Sequence, residues 1–101
     1  MNSDGINDIV ISASGYSSYT GRVYVVYGVS GTSRPTFSLT SLSSTTGFVI
    51  TGEVTSGRLG RSLRVAGDVN NDGIKDMIIG GHMITLNSKT NVGAAYVIYG
   101  Y

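Results

Sequence analysis

Asp68-Val69-Asn70-Asn71-Asp72-Gly73-Ile74-Lys75-Asp76-Met77-Ile78-Ile79 decides the fold, because most of it occurs twice. From Asn70 onward it matches Asn2-Ser3-Asp4-Gly5-Ile6-Asn7-Asp8-Ile9-Val10-Ile11, at an offset of 68 residues. Further along, Val23-Tyr24-Val25-Val26-Tyr27-Gly28 matches Ala95-Tyr96-Val97-Ile98-Tyr99-Gly100, at an offset of 72. The extra residues fall between His82 and Asn91, where lengthening a loop costs little. One unit is therefore about 70 residues long, and the chain holds about one and a half units.

Short apolar runs between turn signals define the strands. They are expected at residues 8–12, 22–27, 47–52, 62–66, 76–80 and 94–99. Ile9-Val10-Ile11 and Met77-Ile78-Ile79 are unbroken apolar runs, so these strands are expected to be covered on both faces. Residues 28–46 read as a long Ser/Thr-rich connection, with Pro35 and a brief apolar alternation at Phe37 and Leu39. No stretch holds a 3.6-residue apolar period, so no helix is expected. The fold class is all-β. Short-stranded units that repeat without burying their own faces describe antiparallel propeller-type blades or a sheet solenoid.

The doubled loop points to a cation. Asp68, Asn70, Asp72 and Asp76 place oxygen side chains at loop positions 1, 3, 5 and 9. Ca²⁺ takes about six to eight oxygens at roughly 2.3–2.6 Å, and alternate positions in a tight loop can share one centre. Gly73 stands where the turn is sharpest, and the Ile74 carbonyl offers a further oxygen while its side chain turns inward. An EF-hand would need a bidentate Glu at position 12 and flanking helices; position 12 here is Ile79. The competing explanation is an Asx-rich turn with no metal, since Asp, Asn and Gly favour turns in any case. The first copy offers Asn2, Asp4, Ile6 (through its carbonyl) and Asp8. Its position 1 would precede Met1, so weaker binding is expected there, and the repeat is expected to continue upstream.

Composition narrows the function classes. The 101 residues carry a net charge of +1, from seven basic and six acidic side chains, with no cysteine. That leaves no basic stripe for nucleic acid, no thiol chemistry and no disulfide. No apolar run is long enough to cross a bilayer as a helix, and the first residues lack the pattern of a signal peptide. His82 is the sole histidine, without the partners that catalysis or zinc would demand. Five of the six carboxylates sit in the two loops, which leaves Glu53 alone for acid–base work. No G-x-S-x-G occurs. An enzyme is not expected. Tyr24, Tyr27, Tyr96 and Tyr99 recur in both units and read as strand residues whose rims reach water. Tyr16 and Tyr19 lie in a Gly/Ser-rich loop, where exposed aromatics can meet a sugar or protein partner. Arg58, Arg61 and Arg64 alternate faces and form no single patch.

Taken together, Gly57-Arg58-Leu59-Gly60-Arg61-Ser62-Leu63-Arg64-Val65-Ala66-Gly67-Asp68, the loop, and Met77-Ile78-Ile79-Gly80-Gly81 resemble the FG-GAP repeat of integrin α-subunit β-propellers. Gly21-Arg22-Val23-Tyr24-Val25-Val26-Tyr27-Gly28 looks like the strand after the GAP element, and Gly47-Phe48-Val49-Ile50-Thr51-Gly52-Glu53 like the outer strand leading to the next repeat. The FG element reads Leu59-Gly60. The GAP element reads Gly80-Gly81-His82 in one unit and Ser12-Ala13-Ser14 in the other. The resemblance implies a calcium cage at Asp68, Asn70, Asp72, Ile74 and Asp76, on the lower face of a blade. It also implies a first blade, residues 1–53, lacking its inner strand, and a second, residues 54–101, lacking its outer one. The role it implies is extracellular interaction or adhesion. Incomplete blades leave edges and apolar faces open, so self-association or packing against further blades is expected. A calcium-stabilised self-assembling unit and a calcium-dependent glycan binder are the alternatives.

Overall fold

The computed structural model describes residues 1–31, 36 and 38–101. Pro35 and Phe37 lie outside the described residues, so the apolar alternation read there is not addressed. Among the described residues six strands form: β1 (Ile9–Ala13), β2 (Arg22–Val26), β3 (Gly47–Thr51), β4 (Ser62–Gly67), β5 (Asp76–Gly81) and β6 (Ala94–Ile98). Each begins and ends within one residue of the span expected from sequence. They make two three-stranded antiparallel sheets, ordered β1-β2-β3 and β4-β5-β6. The two sheets repeat one meander, as incomplete propeller blades do.

Register assigns the faces. In the first sheet Val10 pairs with Val25, and Val25 with Phe48. These residues, with Val23, Tyr27 and Ile50, face the second sheet. There Leu63 pairs with Ile79, and Met77 with Ile98. The core is the contact between these faces: Val23, Val25, Tyr27, Leu59, Met77 and Ile79 are all at most 4% exposed. Leu59 comes from the linker between the sheets. That linker is tied to the first unit by backbone hydrogen bonds from Arg58 N to Tyr19 O (2.8 Å) and Leu59 N to Thr20 O (3.2 Å). A Cβ at Gly21 would collide with the Leu59 backbone, so only glycine lets the two segments approach this closely.

Three expectations need correction. The apolar runs in β1 and β5 are covered on one face only: Met77 and Ile79 are buried, whereas Ile78 is 39% exposed and Ile9 57%. Each sheet has a partner on one side, so every second residue of the run is left facing outward. The tyrosine pairs are not alike either. Tyr24 and Tyr27 are buried, while Tyr96 and Tyr99 are exposed; Tyr27 belongs to the core between the sheets, whereas its counterpart Tyr99 stands on the outer face of the second. Finally, the chain is not free of helical turns. Leu39–Ser41 forms a short 3₁₀ turn. Tyr16–Tyr19 coils once with Ser17, Ser18 and Tyr19 at φ of 44°, 55° and 60°, which makes it left-handed. Such a turn has no apolar period to announce it. It is braced by Arg22 over the Tyr16 ring at 3.6 Å and Arg58 over the Tyr19 ring at 4.3 Å.

Candidate metal centre

Both repeat loops lie at one end of the molecule, facing a shared cleft lined by Asp4, Ile6, Asn7, Gly73, Ile74 and Lys75. In the second loop the carboxylate of Asp68 organises the turn. Its oxygens accept from Asp72 N at 3.0 Å and Gly73 N at 2.7 Å. Asp72 in turn accepts from Ile74 N at 2.8 Å and from the Asn70 amide at 2.8 Å. Gly73 has φ of +86°, a conformation that favours glycine, and its Cβ position is open space. The three oxygen residues Asp68, Asn70 and Asp72 thus belong to one network.

Asp76 plays a different part in this structure. It opens β5, is fully buried, and accepts from Val69 N at 2.7 Å and Gly100 N at 2.9 Å. Burial opposes its ionisation, but the backbone N–H groups of Gly100, Val69 and Asn70 outweigh that and hold its carboxyl below the usual carboxylate value. Ile74 reinforces the same tie: a Cβ at Gly100 would collide with its side chain and with the Lys75 carbonyl. Asp76 and Ile74 therefore latch the loop to the end of β6.

The first loop repeats the contacts of Asp72 and Asp76. Ile6 N donates to Asp4 at 2.8 Å, and so does the Asn2 amide at 2.8 Å. Those two bonds hold the Asp4 carboxyl below its usual value. Asp8 accepts from Gly28 N at 2.9 Å and from the Met1 amino group at 2.6 Å. Met1 N thereby stands where Val69 N stands in the second loop, and Gly28 where Gly100 stands. Sequence reading missed the latch. The signal was present in the joint recurrence of Asp8 with Gly28 and Asp76 with Gly100.

Among the described residues, no three Asp, Glu or His side chains stand close enough together to form a ready metal cage. The donor chemistry nonetheless suits a hard cation, since every candidate atom is an oxygen. In the first loop Asn2 Oδ1 is buried with no hydrogen-bond partner among the described residues, an acceptor that a cation would satisfy. Each carboxylate oxygen has two lone pairs, so an N–H bond does not use up its capacity.

Residues 1–26 match the FG-GAP repeat family. This segment is an FG-GAP repeat. It contains the first loop, β1 and β2. The whole chain is 36% identical over 104 residues to the phosphatidylinositol-glycan-specific phospholipase D of Rattus norvegicus, covering 99% of this chain and 12% of that protein. The Bos taurus phospholipase of the same name is 35% identical over the same length and coverage. Integrin alpha-2 of Mus musculus is 35% identical over 92 residues, covering 89% of this chain and 8% of the integrin. The chain thus spans only about an eighth of the phospholipases it resembles. Among the described residues, no helix is long and apolar enough to cross a membrane.

Proposed function

We propose that this chain is a non-catalytic, Ca²⁺-braced, integrin-like β-propeller module serving extracellular protein interaction or adhesion. The observation that carries the reading is the pair of loops with one hydrogen-bond pattern, each built from oxygen side chains beside a shared cleft. Ca²⁺ would be held by Asp68, Asn70, Asp72 and the Ile74 carbonyl, with Asp76 joining from the base of β5. Asn2, Asp4, Ile6 and Asp8 would form the lesser site. The ion would neutralise carboxylates crowded into a short turn and fix the crossing between β4 and β5. The similarity to integrin alpha-2 supports the interaction role. The phospholipase relatives are enzymes by name, but the match covers a small share of their length, and this chain concentrates its carboxylates in the loops.

The alternative of a calcium-stabilised self-assembling unit draws support from the outward apolar residues of both sheets. The glycan reading draws less: Arg22 and Arg58 already stack on the rings of Tyr16 and Tyr19. The test is calorimetric titration with Ca²⁺ alongside thermal melts, on wild type and Asp72→Ala. Binding to the native state alone raises the melting temperature, and Asp72→Ala should abolish most of that rise. Identical melts in Ca²⁺ and in chelator would end the metal reading.

A further inference from the structure

The repeat makes each face of one sheet comparable with a face of the other. Val23, Val25 and Tyr27 correspond to Ala95, Val97 and Tyr99, and Met77 and Ile79 correspond to Ile9 and Ile11. In the core, Val23, Val25 and Tyr27 pack with Met77 and Ile79. Their counterparts point outward. Val97 is 46% exposed and Tyr99 57% on the second sheet; Ile9 is 57% exposed and Ile11 37% on the first. The kind of face that the first sheet gives to the core is thus presented again on the outside of the second. The kind that the second sheet gives to the core is presented again on the outside of the first. The two ends of the stack complement each other, not themselves.

We infer that this chain stacks head to tail with a second copy of itself. Ile78, Val97 and Tyr99 of one copy cover Ile9, Ile11 and Val49 of the next. The inference rests on the propeller-module reading, because it continues the sheet-on-sheet packing already inside the chain. Tyr24 and Val26, at the centre of the first sheet's outer face, are already covered, so the flanking strands β1 and β3 make the contact. Arg64, in register with Ile78, borders one patch and stays at its wet rim. The contact is heterologous, so it closes into a ring if the rotation between sheets completes a turn, and otherwise grows. Propellers close with about 4–8 blades, which corresponds to roughly two to four copies of a two-sheet chain.

The experiment is sedimentation of the 101-residue chain across a wide concentration range, for wild type, Val97→Glu, Ile11→Glu and an equimolar mixture of the two variants. Wild type should gain mass with concentration in multiples of 10.6 kDa. Each variant buries an unpaired charge at one face, so alone it should stay monomeric, its association shifted by more than about tenfold in concentration. The mixture keeps one intact face from each variant and should recover a one-to-one pair. A monomeric wild type at every concentration overturns the proposal. So does a single variant that associates as well as wild type, because that contact would join like faces. Should either variant melt early, Tyr99→Asp and Ile9→Asp repeat the design. Val25→Glu separates this proposal from the reading beneath it. If Val25→Glu folds normally, the packing between sheets is wrong and the module reading falls. If it unfolds while wild type stays monomeric, only the stacking falls.

Discussion

Ile79→Ala measures how much the contact between the sheets is worth, and Ile11→Ala supplies its internal control. The two residues occupy the same place in the repeat, but Ile79 is 0% exposed and Ile11 is 37% exposed. Ile79 sits on β5 among Val23, Val25, Leu59 and Met77. Truncation to alanine removes three carbons, or about 2.4 kcal/mol at roughly 0.8 kcal/mol per buried methylene. The space left behind adds to that, since neighbours on two hydrogen-bonded sheets collapse poorly, bringing the cost to about 3–4 kcal/mol. For a domain near this size, each kcal/mol moves the melting temperature by about 4–8 °C, so Ile79→Ala should melt roughly 12–30 °C lower. Ile11 has water on one side and leaves no closed cavity, so its truncation should cost about 1 kcal/mol. Circular-dichroism melts and urea titrations at low protein concentration keep association out of the comparison. Equal losses for the two variants would refute the assignment of inner and outer faces. A loss below about 1 kcal/mol for Ile79→Ala would refute the core itself.

Two further outcomes follow from the loops and the linker. The folded-state pKa of Asp76 is depressed below 3.8, so its stabilising contribution is complete above that value and is lost as pH falls through the folded-state pKa. Melts from pH 6 to pH 2 should therefore show an acid limb that Asp76→Asn flattens; an unchanged limb would contradict the latch. Gly60 has φ of +85°, and a Cβ there would press on Ser12 Oγ at 2.6 Å and Val23 Cγ2 at 2.9 Å. Gly60→Ala should destabilise by about 1–3 kcal/mol through strain, read in the same urea titration, and a neutral variant would argue against this linker geometry.

The strands were legible because their signals are local. The run Val23 to Val26 lies between Gly21 and Gly28, and the run Met77 to Ile79 between Asp76 and Gly80, so pattern and punctuation agree. The network of Asp68, Asn70, Asp72 and Gly73 was legible for the same reason: all its bonds close within a few residues. What escaped was long-range. Nothing in the alternation of β1 tells Ile9 from Val10, because both are apolar, and only the placement of the second sheet separates them. The Asp76–Gly100 bond spans 24 residues, and its trace in the sequence is the joint recurrence of both residues in the two units rather than a local pattern. The left-handed turn at Ser17–Tyr19 is braced by Arg58, which arrives from the linker between the sheets.

Tyr101 follows the last strand of the second unit, yet its ring lies against the first unit's Tyr27 at 6.5 Å, edge-on, and Phe48 at 6.2 Å, while its N–H donates to Met1 O at 2.8 Å. The chain has no tryptophan, so its near-ultraviolet optical activity comes from rings such as these. That gives the molecule two separate voices in one spectrum. The far-ultraviolet signal reports whether strands exist, and the near-ultraviolet signal reports whether the two halves are seated on each other. A state that kept the first while losing the second would be a chain with both meanders formed and swung apart.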